Sequence, residues 1–360
     1  MNKNALLAMS GGVDSSVAAY LMKEQGYNCI GVTMKLFQNE DIEVSREHSC
    51  CSIDDVADAR SVANALDIPY YVFNFSDHFR ESVVDYFVYS YENGITPNPC
   101  IECNRRLKFT ELYRRAREMG CDYVVTGHYA RIEYDTASGR YLLKKAADSN
   151  KDQSYVLYSM TQEQLAHTLF PLGVMTKSEA RNIASEHGFV NAKKHDSQDI
   201  CFVQDGSYFD FIEAYTKKTY PEGDFVDKQG NVLGTHKGII RYTVGQRKGL
   251  GLALKQPMYV SEVNPDTNRV VLSTNAELFS DTLSANNINL ISLEKIDKPM
   301  RLKAKIRYRH EEQWATVTQP EPDILHVKFD EPQRAITKGQ ALVLYDGDTV
   351  AGGGTICSLK

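Results

Sequence analysis

Two cysteines of this chain are spaced for thiol or metal chemistry. Cys100 and Cys103 form a Cys-x-x-Cys pair within residues 96–104, which we call the cysteine segment. Pro97 and Pro99 restrict the backbone there, so we expect a rigid loop between two helices that presents both thiols. Such a pair can be half of a zinc site, a redox dithiol or part of an iron–sulfur site.

The remaining cysteines are not spaced as a second ligand pair, which disfavours a structural zinc site. Cys50 and Cys51 are adjacent, and their sequence context indicates no role. Cys201 stands alone and, by itself, is more typical of a buried small hydrophobic residue than of a nucleophile. The single cysteines that we interpret as structural are Cys29, Cys121 and Cys357.

A second chemical signal is the run Ser10-Gly11-Gly12-Val13-Asp14-Ser15-Ser16, which we call the glycine turn. Glycines let a backbone approach a phosphate closely, and the amides of a following helix supply positive potential. The lysine of the Walker pattern is missing, and the glycine spacing differs from the dinucleotide fingerprint. A tight turn with a helix cap is the simpler alternative, but a strand before it and a helix after it favour phosphate binding.

The elements that must position these residues alternate between strand and helix over the first half of the chain. That alternation predicts an α/β fold, with a parallel sheet covered by helices on both faces. Gly26 stands where a helix cap belongs, and Ser52 with Asp55 has capping-box spacing. Gly127 and His128 would lie at the carboxyl edge of the sheet, where ligands bind in such folds. The predicted strands are 5–9, 30–34, 70–75 and 123–126, and the predicted helices are 15–25, 52–66, 79–92 and 105–119.

The character of the sequence changes after about residue 205, where helix signals fade. We predict a catalytic domain at residues 1–205, a small central domain at 206–280 and a C-terminal β-barrel at 281–360. In the barrel, cations alternate with Leu302, Ala304 and Ile306, so a strand would expose all of the cations on one face. This pattern fits either RNA contact or a solvated edge strand. The cations are Arg301, Lys303, Lys305, Arg307 and Arg309.

Charge and composition give weaker indications. The net charge of −6 shows no global preference for nucleic acid, so RNA would have to bind local basic patches. We find neither a signal peptide nor a membrane-spanning stretch and expect a cytoplasmic protein, in which eight cysteines indicate thiol chemistry rather than a disulfide scaffold. A second basic patch, for which a solvated face is the usual meaning, comprises Arg105, Arg106, Lys108, Arg114, Arg115 and Arg117.

The glycine turn resembles the PP-loop of ATP pyrophosphatases, which cleave ATP between the α- and β-phosphates and leave an adenylate on the substrate. Together with the cysteine segment and residues 197–202, it resembles the tRNA-specific 2-thiouridylases, and residues 127–131, 151–155, 242–247 and 307–309 extend the resemblance along nearly the whole chain. This implies an ATP site in which Asp14 lies near the pyrophosphate and Mg²⁺. The implied ATP contacts are Ala8, Met9, Ser10, Gly11, Gly12, Val13, Asp14, Ser15, Met34 and Gly127.

The resemblance also implies roles for the thiols and for the tRNA-binding residues. Cys103 would be the catalytic nucleophile and Cys201 the persulfide carrier. The substrates would be tRNAs with a wobble uridine, expected for Lys, Glu and Gln, and a cysteine desulfurase or sulfur-relay protein would donate the sulfur. His128 can also be interpreted as a satisfied polar residue at a strand end. The implied tRNA contacts are Asn98, Pro99, Cys100, His128, Lys151, Asp152, Gln153, Arg307, Tyr308 and Gln340.

Thiolation of a uridine needs each of these parts for a chemical reason. The 2-carbonyl oxygen is a poor leaving group, so it must first attack the α-phosphate of ATP; AMP can then depart when sulfur adds at C2. The sulfur arrives activated as a cysteine persulfide. A second thiol can attack the persulfide to release sulfide and leave a disulfide bond, or it can assist the transfer directly.

The sequence leaves three alternatives open. The commoner family pattern has Asp where this chain has Cys100, so Cys100, Cys103 and Cys201 could instead hold three irons of a [4Fe–4S] cluster. The protein could also be another PP-loop enzyme, a ligase or amidotransferase that adenylates a small substrate. A non-catalytic RNA-binding protein with a structural metal is the third alternative.

Overall fold

The computed structural model describes residues 3–37, 53–194, 200–203 and 207–358, which form three β-sheets. Cys50, Cys51, the predicted cap at Ser52 and residues 197–199 of the family motif lie outside these ranges. Within the ranges, no helix is both long and apolar enough to cross a membrane.

The first sheet confirms the predicted α/β fold. The strands of this part of the chain are β1 (Asn4–Ala8), β2 (Asn28–Lys35), β3 (Tyr70–Asn74), β4 (Tyr123–Val125), β5 (Ala130–Asp135), β6 (Arg140–Lys145) and β7 (Thr168–Leu169). Five of them pair in parallel in the order β3-β2-β1-β4-β7. In β1, Ala5, Leu6 and Leu7 are buried, as expected for a strand covered on both faces. The chain leaves β1 for β2 on one side and returns to β4 on the other, which creates a topological switch point beside β1.

Helices α1 to α9 belong to the same part of the chain as this sheet, and α10 is the first helix of the central part. They are α1 (Val13–Glu24), α2 (Ile53–Ala65), α3 (Ser76–Phe79), α4 (Asp85–Glu92), α5 (Pro99–Glu102), α6 (Leu112–Glu118), α7 (Ser154–Leu157), α8 (Gln162–Ala166), α9 (Lys177–Glu186) and α10 (Tyr208–Thr216). Residues Arg80–Val84 and Cys103–Glu111 are π-helical and join α3 to α4 and α5 to α6. Short 3-10 turns cover Pro171–Val174, Ile239–Arg241 and Asn275–Leu278. The cap predicted after α1 is present: Gly26 has a φ of 80° and its amide donates to Lys23 O.

The cysteine segment is not the loop that we predicted, because most of it is helical. Helix α5 begins at Pro99, so Cys100 and Cys103 lie in the first turns of a helix that continues to Glu118. The Asn98 side chain accepts a hydrogen bond from the Cys100 amide at 3.2 Å. Proline suits the first helical position because its missing amide would have no partner there. The prediction of a helix starting at residue 105 is therefore wrong by about two turns.

The central part contains a small mixed sheet. Its strands, β8 (Gly223–Val226), β9 (Val232–His236), β10 (Tyr259–Asn264) and β11 (Arg269–Ser273), lie in the order β10-β11-β8-β9. Ile212 of α10 and Phe225 of β8 belong to the same hydrophobic cluster as Phe87 and Phe202. The central sheet therefore shares a core with the helices around α4.

The last sheet is the predicted β-barrel. Its strands are β12 (Phe279–Leu290), β13 (Met300–Lys305), β14 (Gln313–Glu321), β15 (Ile324–Arg334), β16 (Ala341–Asp346) and β17 (Thr349–Ser358). They pair in the order β12-β15-β14-β13-β16-β17, and β12 also pairs with β17, which closes the barrel. The hairpin of β5 and β6 joins it through the pair Thr349 and Lys144. The sequence did not indicate this addition.

The alternating strand of the barrel is shorter than predicted. Leu302, Ala304 and Ile306 face the core as expected. Strand β13 ends at Lys305, however, and Arg307 lies beyond it in a turn. The five cations therefore do not form one continuous face. The strand is also internal rather than at an edge, because it pairs with both β14 and β16.

Candidate active site at the glycine turn and the cysteine segment

The glycine turn connects β1 to α1 and has the shape of a phosphate cradle. Gly11 has a φ of 73°, and a Cβ atom there would lie 2.3 Å from the carbonyl oxygen of Asp55, so only glycine fits. The Ser15 hydroxyl lies 3.1 Å from the Ser10 amide and donates to Gly12 O at 2.9 Å. These bonds hold the turn at the N-terminus of a 12-residue helix, where backbone amides favour an anion.

The residues expected to contact ATP are brought together at one edge of the sheet. Ala8 ends β1, Met34 lies near the end of β2, and Gly127 follows β4 by two residues. A Cβ atom at Gly127 would approach the backbone carbonyl carbon of Asp14 and the amide nitrogen of Ser15 to 2.8 Å. Glycine at this position therefore allows the end of β4 to meet the first turn of α1.

Asp14 has partners that the sequence did not reveal. Lys177 Nζ lies 2.8 Å from both carboxylate oxygens, and the Tyr129 hydroxyl donates to Oδ1 at 2.8 Å. Lys177 is the first residue of α9 and is only 9% exposed. No local pattern could have identified this pair, because its two residues lie at opposite ends of the N-terminal part of the chain.

A second group of residues stabilises the glycine turn through hydrogen bonds to the Gly11 carbonyl oxygen. The Asn191 amide donates to Gly11 O at 3.0 Å, and Lys194 Nζ contacts the same oxygen at 3.4 Å. Lys194 also binds Asp55 and Asp58, at 2.6 and 2.7 Å. Burial opposes the charge of Lys194, but the hydrogen bonds to the two carboxylates outweigh it and raise the lysine's pKa. The turn is thereby tied to α2 and to the chain that leads toward Cys201.

Cys103 and Cys201 are half-buried and pack against one hydrophobic cluster. Phe202 is almost fully buried in that cluster, with its ring centroid 5.7 Å from that of Phe79 and 5.2 Å from that of Phe87. The buried ring fixes the backbone next to Cys201. Two thiols that are far apart in sequence are thus attached to one core.

The iron–sulfur alternative has no support in this arrangement. Among the described residues, no three His, Cys, Asp or Glu side chains are grouped as a metal centre requires. Cys100 is exposed, whereas Cys103 and Cys201 pack against the core. For Mg²⁺ the fit is better, because this ion takes one or two carboxylates and draws its other ligands from phosphates and water. Asp14 has such a carboxylate at the glycine turn, and binding the ion would require it to exchange contacts with Lys177 or Tyr129 for the ion.

The barrel holds the start of the cysteine segment. Gln340 Nε2 donates to the carbonyl oxygens of Thr96 and Pro97 at 2.9 and 3.3 Å, and the Thr96 amide donates to Lys338 O at 3.0 Å. Gln340, expected at the tRNA, is therefore engaged in positioning this segment. Pro99 is buried, and Asn98 caps α5.

His128 is a buried polar residue, and each of its ring nitrogens has a partner. It is buried, its Nδ1 lies 2.7 Å from the Thr126 hydroxyl, and its Nε2 lies 3.5 Å from Lys108 Nζ. Burial, aided by the charge of Lys108, lowers the pKa of His128 well below its usual value. A direct contact with tRNA, as expected from the resemblance, would need this side chain to become exposed.

The other expected tRNA contacts lie where β5, α7 and the barrel meet. The Asp152 carboxylate accepts hydrogen bonds from the Ala146 and Ser154 amides, and Gln153 Oε1 accepts one from the Tyr129 amide. The Tyr308 hydroxyl donates to Asp152 O at 3.2 Å, and burial raises its pKa. Lys151 precedes this group and is half-buried.

The two basic patches carry less unbalanced charge than the sequence indicated. In the helix, Arg114 pairs with both Glu111 and Glu118, and Arg105 pairs with Glu102. In the barrel, Arg301 forms a two-pronged ion pair with Asp330 at 2.7 and 2.6 Å. Arg307 is half-buried and donates to Arg334 O at 2.5 Å, and burial lowers its pKa.

Comparison with known proteins places this geometry in a family. Family models match residues 3–205 as a "tRNA methyl transferase HUP domain", residues 209–274 as a "tRNA methyl transferase PRC-barrel domain" and residues 280–356 as an "Aminomethyltransferase beta-barrel domain". A protein of Clostridioides difficile (strain 630) named tRNA-specific 2-thiouridylase MnmA is 54% identical over 99% of this chain and 98% of its own length. The protein of that name in Lachnoclostridium phytofermentans is 52% identical over 98% of this chain and 99% of its own.

Proposed function

This chain belongs to the family of tRNA-specific 2-thiouridylases, and on that premise we propose how its residues divide the work of thiolation. The reaction converts the wobble uridine of tRNA to 2-thiouridine and consumes ATP. The observation that carries the proposal is the meeting of the glycine turn with Gly127 at the sheet edge, in a protein whose two half-buried thiols share one core.

The first step uses the glycine turn. Backbone amides at the start of α1 and the turn's serines bind the phosphates of ATP, and Met34 and Gly127 border the nucleoside. Asp14 would hold Mg²⁺, which neutralises phosphate charge when bound. The uridine O2 attacks the α-phosphorus; the bond from that phosphorus to the bridging oxygen breaks, and pyrophosphate leaves with the electron pair. The uridine is left as an adenylate at O2.

The second step uses the thiols. Cys201 receives sulfur as a persulfide from a cysteine desulfurase or a sulfur-relay protein. The Cys103 thiolate attacks Sγ of Cys201, which releases hydrosulfide and forms the Cys103–Cys201 disulfide. Hydrosulfide adds at C2, AMP departs, and an external thiol reductant regenerates both cysteines. The half-buried positions of Cys103 and Cys201 on one cluster support this pairing.

The tRNA would approach the exposed start of α5 and the adjoining barrel. Cys100 is exposed at that helix start, and Tyr308 and Lys151 belong to the neighbouring surface. Asn98 and Pro99 shape the helix end that would meet the target base, and Asp152, Gln153, Arg307 and Gln340 would hold the surface in place. The substrates would be the tRNAs for Lys, Glu and Gln, and the reaction would take place in the cytoplasm.

The proposed division of work is tested with Cys103→Ser and Cys201→Ser. Each variant should lose tRNA thiolation while it still binds ATP. Retained thiolation in Cys201→Ser would refute the persulfide role. A PP-loop enzyme acting on a small substrate would stay active in both variants, and a non-catalytic RNA-binding protein would show no tRNA-dependent release of pyrophosphate. Iron and sulfide analysis of anaerobically purified protein, beside Cys100→Asp, tests the cluster route.

A further inference from the structure

We propose that Trp314 is a stacking platform for an unpaired base of the tRNA anticodon loop. This inference rests on the proposed function. Trp314 is the single tryptophan of the chain and is 50% exposed. Its neighbour Ala315 is buried in the barrel core, so the alternation of the strand places the indole on the outside of the barrel. Tryptophan is usually well buried, and an indole left half in solvent therefore calls for an explanation.

Trp314 lies at the base of the hairpin formed by β13 and β14. It is the second residue of β14 and pairs directly with Lys303 of β13. The turn between these strands carries Tyr308, which belongs to the surface proposed for tRNA. The indole therefore lies within reach of an RNA loop that contacts this turn.

A row of side chains connects Trp314 with Tyr308. Lys303 and Lys305 are two residues apart on one strand, so they share a face and lie about 7 Å apart. Lys305 Nζ lies 5.8 Å from the ring centroid of Tyr155, which lies 5.9 Å from that of Tyr308. The outer face of β13 is thus continuous with the surface proposed for tRNA.

The charges around the indole suit a polyanion. Arg301 Cζ and Lys303 Nζ lie 5.6 and 5.5 Å from the ring centroid of Trp314. Both cations come from β13, so they approach the indole from one side. Asp330 neutralises Arg301, but Lys303 has no ion pair with any residue that the structure describes. A base stacked on the indole would bring its phosphate toward Lys303.

This combination favours an unpaired base over a paired stem. Aromatic side chains beside cations hold unpaired nucleotides, because every base has a π-face that can stack on a ring. The bases of a paired stem are already stacked on one another, so such a stem offers mainly its phosphates and hydroxyl groups. The target uridine lies in the anticodon loop, and its unpaired neighbours are the bases closest to the site.

The rival explanation is that Trp314 only stabilises the barrel through its contacts with Arg301 and Lys303. In that case Trp314→Leu lowers the free energy of unfolding but leaves the affinity for tRNA unchanged. If the indole stacks on a base, the same substitution weakens tRNA binding.

The first experiment follows the fluorescence of the full chain during titration with unmodified tRNA. Because the chain has one tryptophan, indole emission reports on residue 314 alone. Stacking should quench the emission as tRNA saturates the protein, and the isolated anticodon stem-loop should do the same. A fully paired RNA with the sequence of that stem should bind through charge without quenching. Equal quenching by the paired RNA, or bound tRNA that leaves the emission unchanged, would overturn the inference.

The second experiment measures the affinity of variants for labelled tRNA. Trp314→Leu should weaken binding about 5- to 100-fold, as expected for one lost stacking contact, and Trp314→Phe should restore most of the affinity. Lys303→Gln should weaken binding of tRNA and of paired RNA alike and reduce the slope of log affinity against log salt by about one. The matched control is Tyr134→Leu, which removes a 55% exposed aromatic ring from β5 of the same sheet and should leave binding unchanged.

Wild-type affinity in Trp314→Leu would overturn the inference, and the emission of the wild type decides the question if that variant fails to fold. Failure of the wild type to bind tRNA would contradict the proposed function itself. Binding with unchanged emission contradicts only the role of Trp314.

Discussion

The side-chain amide of Gln340 donates a hydrogen bond to the carbonyl oxygen of Thr96 at 2.9 Å, which joins the barrel to the residues that precede Cys100 and Cys103. A Cβ atom at the neighbouring Gly339 would lie 2.2 Å from a side-chain carbon of Ile95, so barrel and segment are in close contact. The barrel therefore positions the start of α5, in addition to the tRNA-binding surface that we propose for it.

Gln340→Ala should loosen this junction. Loss of the bonds to Thr96 and Pro97 should lower the free energy of unfolding by about 1–2 kcal/mol and reduce thiolation by a larger factor than ATP binding. Urea unfolding and tRNA thiolation assays check both effects. Gln256→Ala removes an exposed glutamine amide and should change neither quantity. Equal effects of the two substitutions would contradict a stabilising role of the Gln340 hydrogen bonds.

Gly127→Ala should weaken ATP binding without unfolding the protein. The new methyl group would lie 2.8 Å from backbone atoms of Asp14 and Ser15, so the first turn of α1 must shift. We expect a loss of ATP affinity of more than about tenfold, measured by calorimetry. The control is Gly188→Ala, where φ is 63° and no atom is crowded. It should cost about 1 kcal/mol of stability and leave ATP affinity unchanged.

Phe202→Ala should separate Cys201 from the core. The ring is 1% exposed and contacts Phe79 and Phe87, so its removal should cost about 3–5 kcal/mol of unfolding free energy. The Cys201 thiol should also react faster with a disulfide reagent, since its backbone is no longer anchored. Phe202→Leu should show a smaller form of both effects. Unaltered thiol reactivity in the alanine variant would argue against anchoring by Phe202.

The buried imidazole of His128 should make stability depend on pH. Its pKa is lowered in the folded protein, so below about pH 6.5 the unfolded chain takes up a proton that the folded chain does not. Stability should therefore fall as the pH drops from about 6.5 to 5, by up to about 1.4 kcal/mol per pH unit for each such histidine. Burial also lowers the pKa of His236, which adds to the same slope.

The measurement for this pH effect is urea unfolding at several pH values. His128→Gln should reduce the slope of stability against pH by up to one proton, and His236→Gln should reduce it further in the double variant. An unchanged slope in His128→Gln would mean that the imidazole titrates alike in the folded and unfolded chains.

The parts of the site that sequence could predict are those carried by contiguous residues. The glycine turn combines its glycines, its serines and the helix that follows within seven residues, so its local shape follows from composition and spacing. The alternation of Leu302 and Ala304 with cations likewise indicated a half-buried strand. Each of these signals depends on neighbours in sequence.

Contacts between distant residues could not be predicted in this way. Lys177 and Asp14 meet because α9 packs beside α1, and Gln340 meets Thr96 because the barrel closes against the helical part. The start of α5 could have been found, since Asn98 followed by Pro99 is a typical helix-start signal. The two prolines by themselves also fit a rigid loop, but in the structure Pro99 occupies the first helical position.

The most direct test of the central claim is a single-turnover measurement with ³⁵S-labelled persulfide loaded on the enzyme. On addition of ATP and unmodified tRNA, label should move from Cys201 to the tRNA with about one pyrophosphate and one AMP released per sulfur, and no transfer should occur without ATP or in Cys201→Ser. Transfer of label at full yield in Cys201→Ser, or without release of pyrophosphate, would contradict the proposed persulfide route.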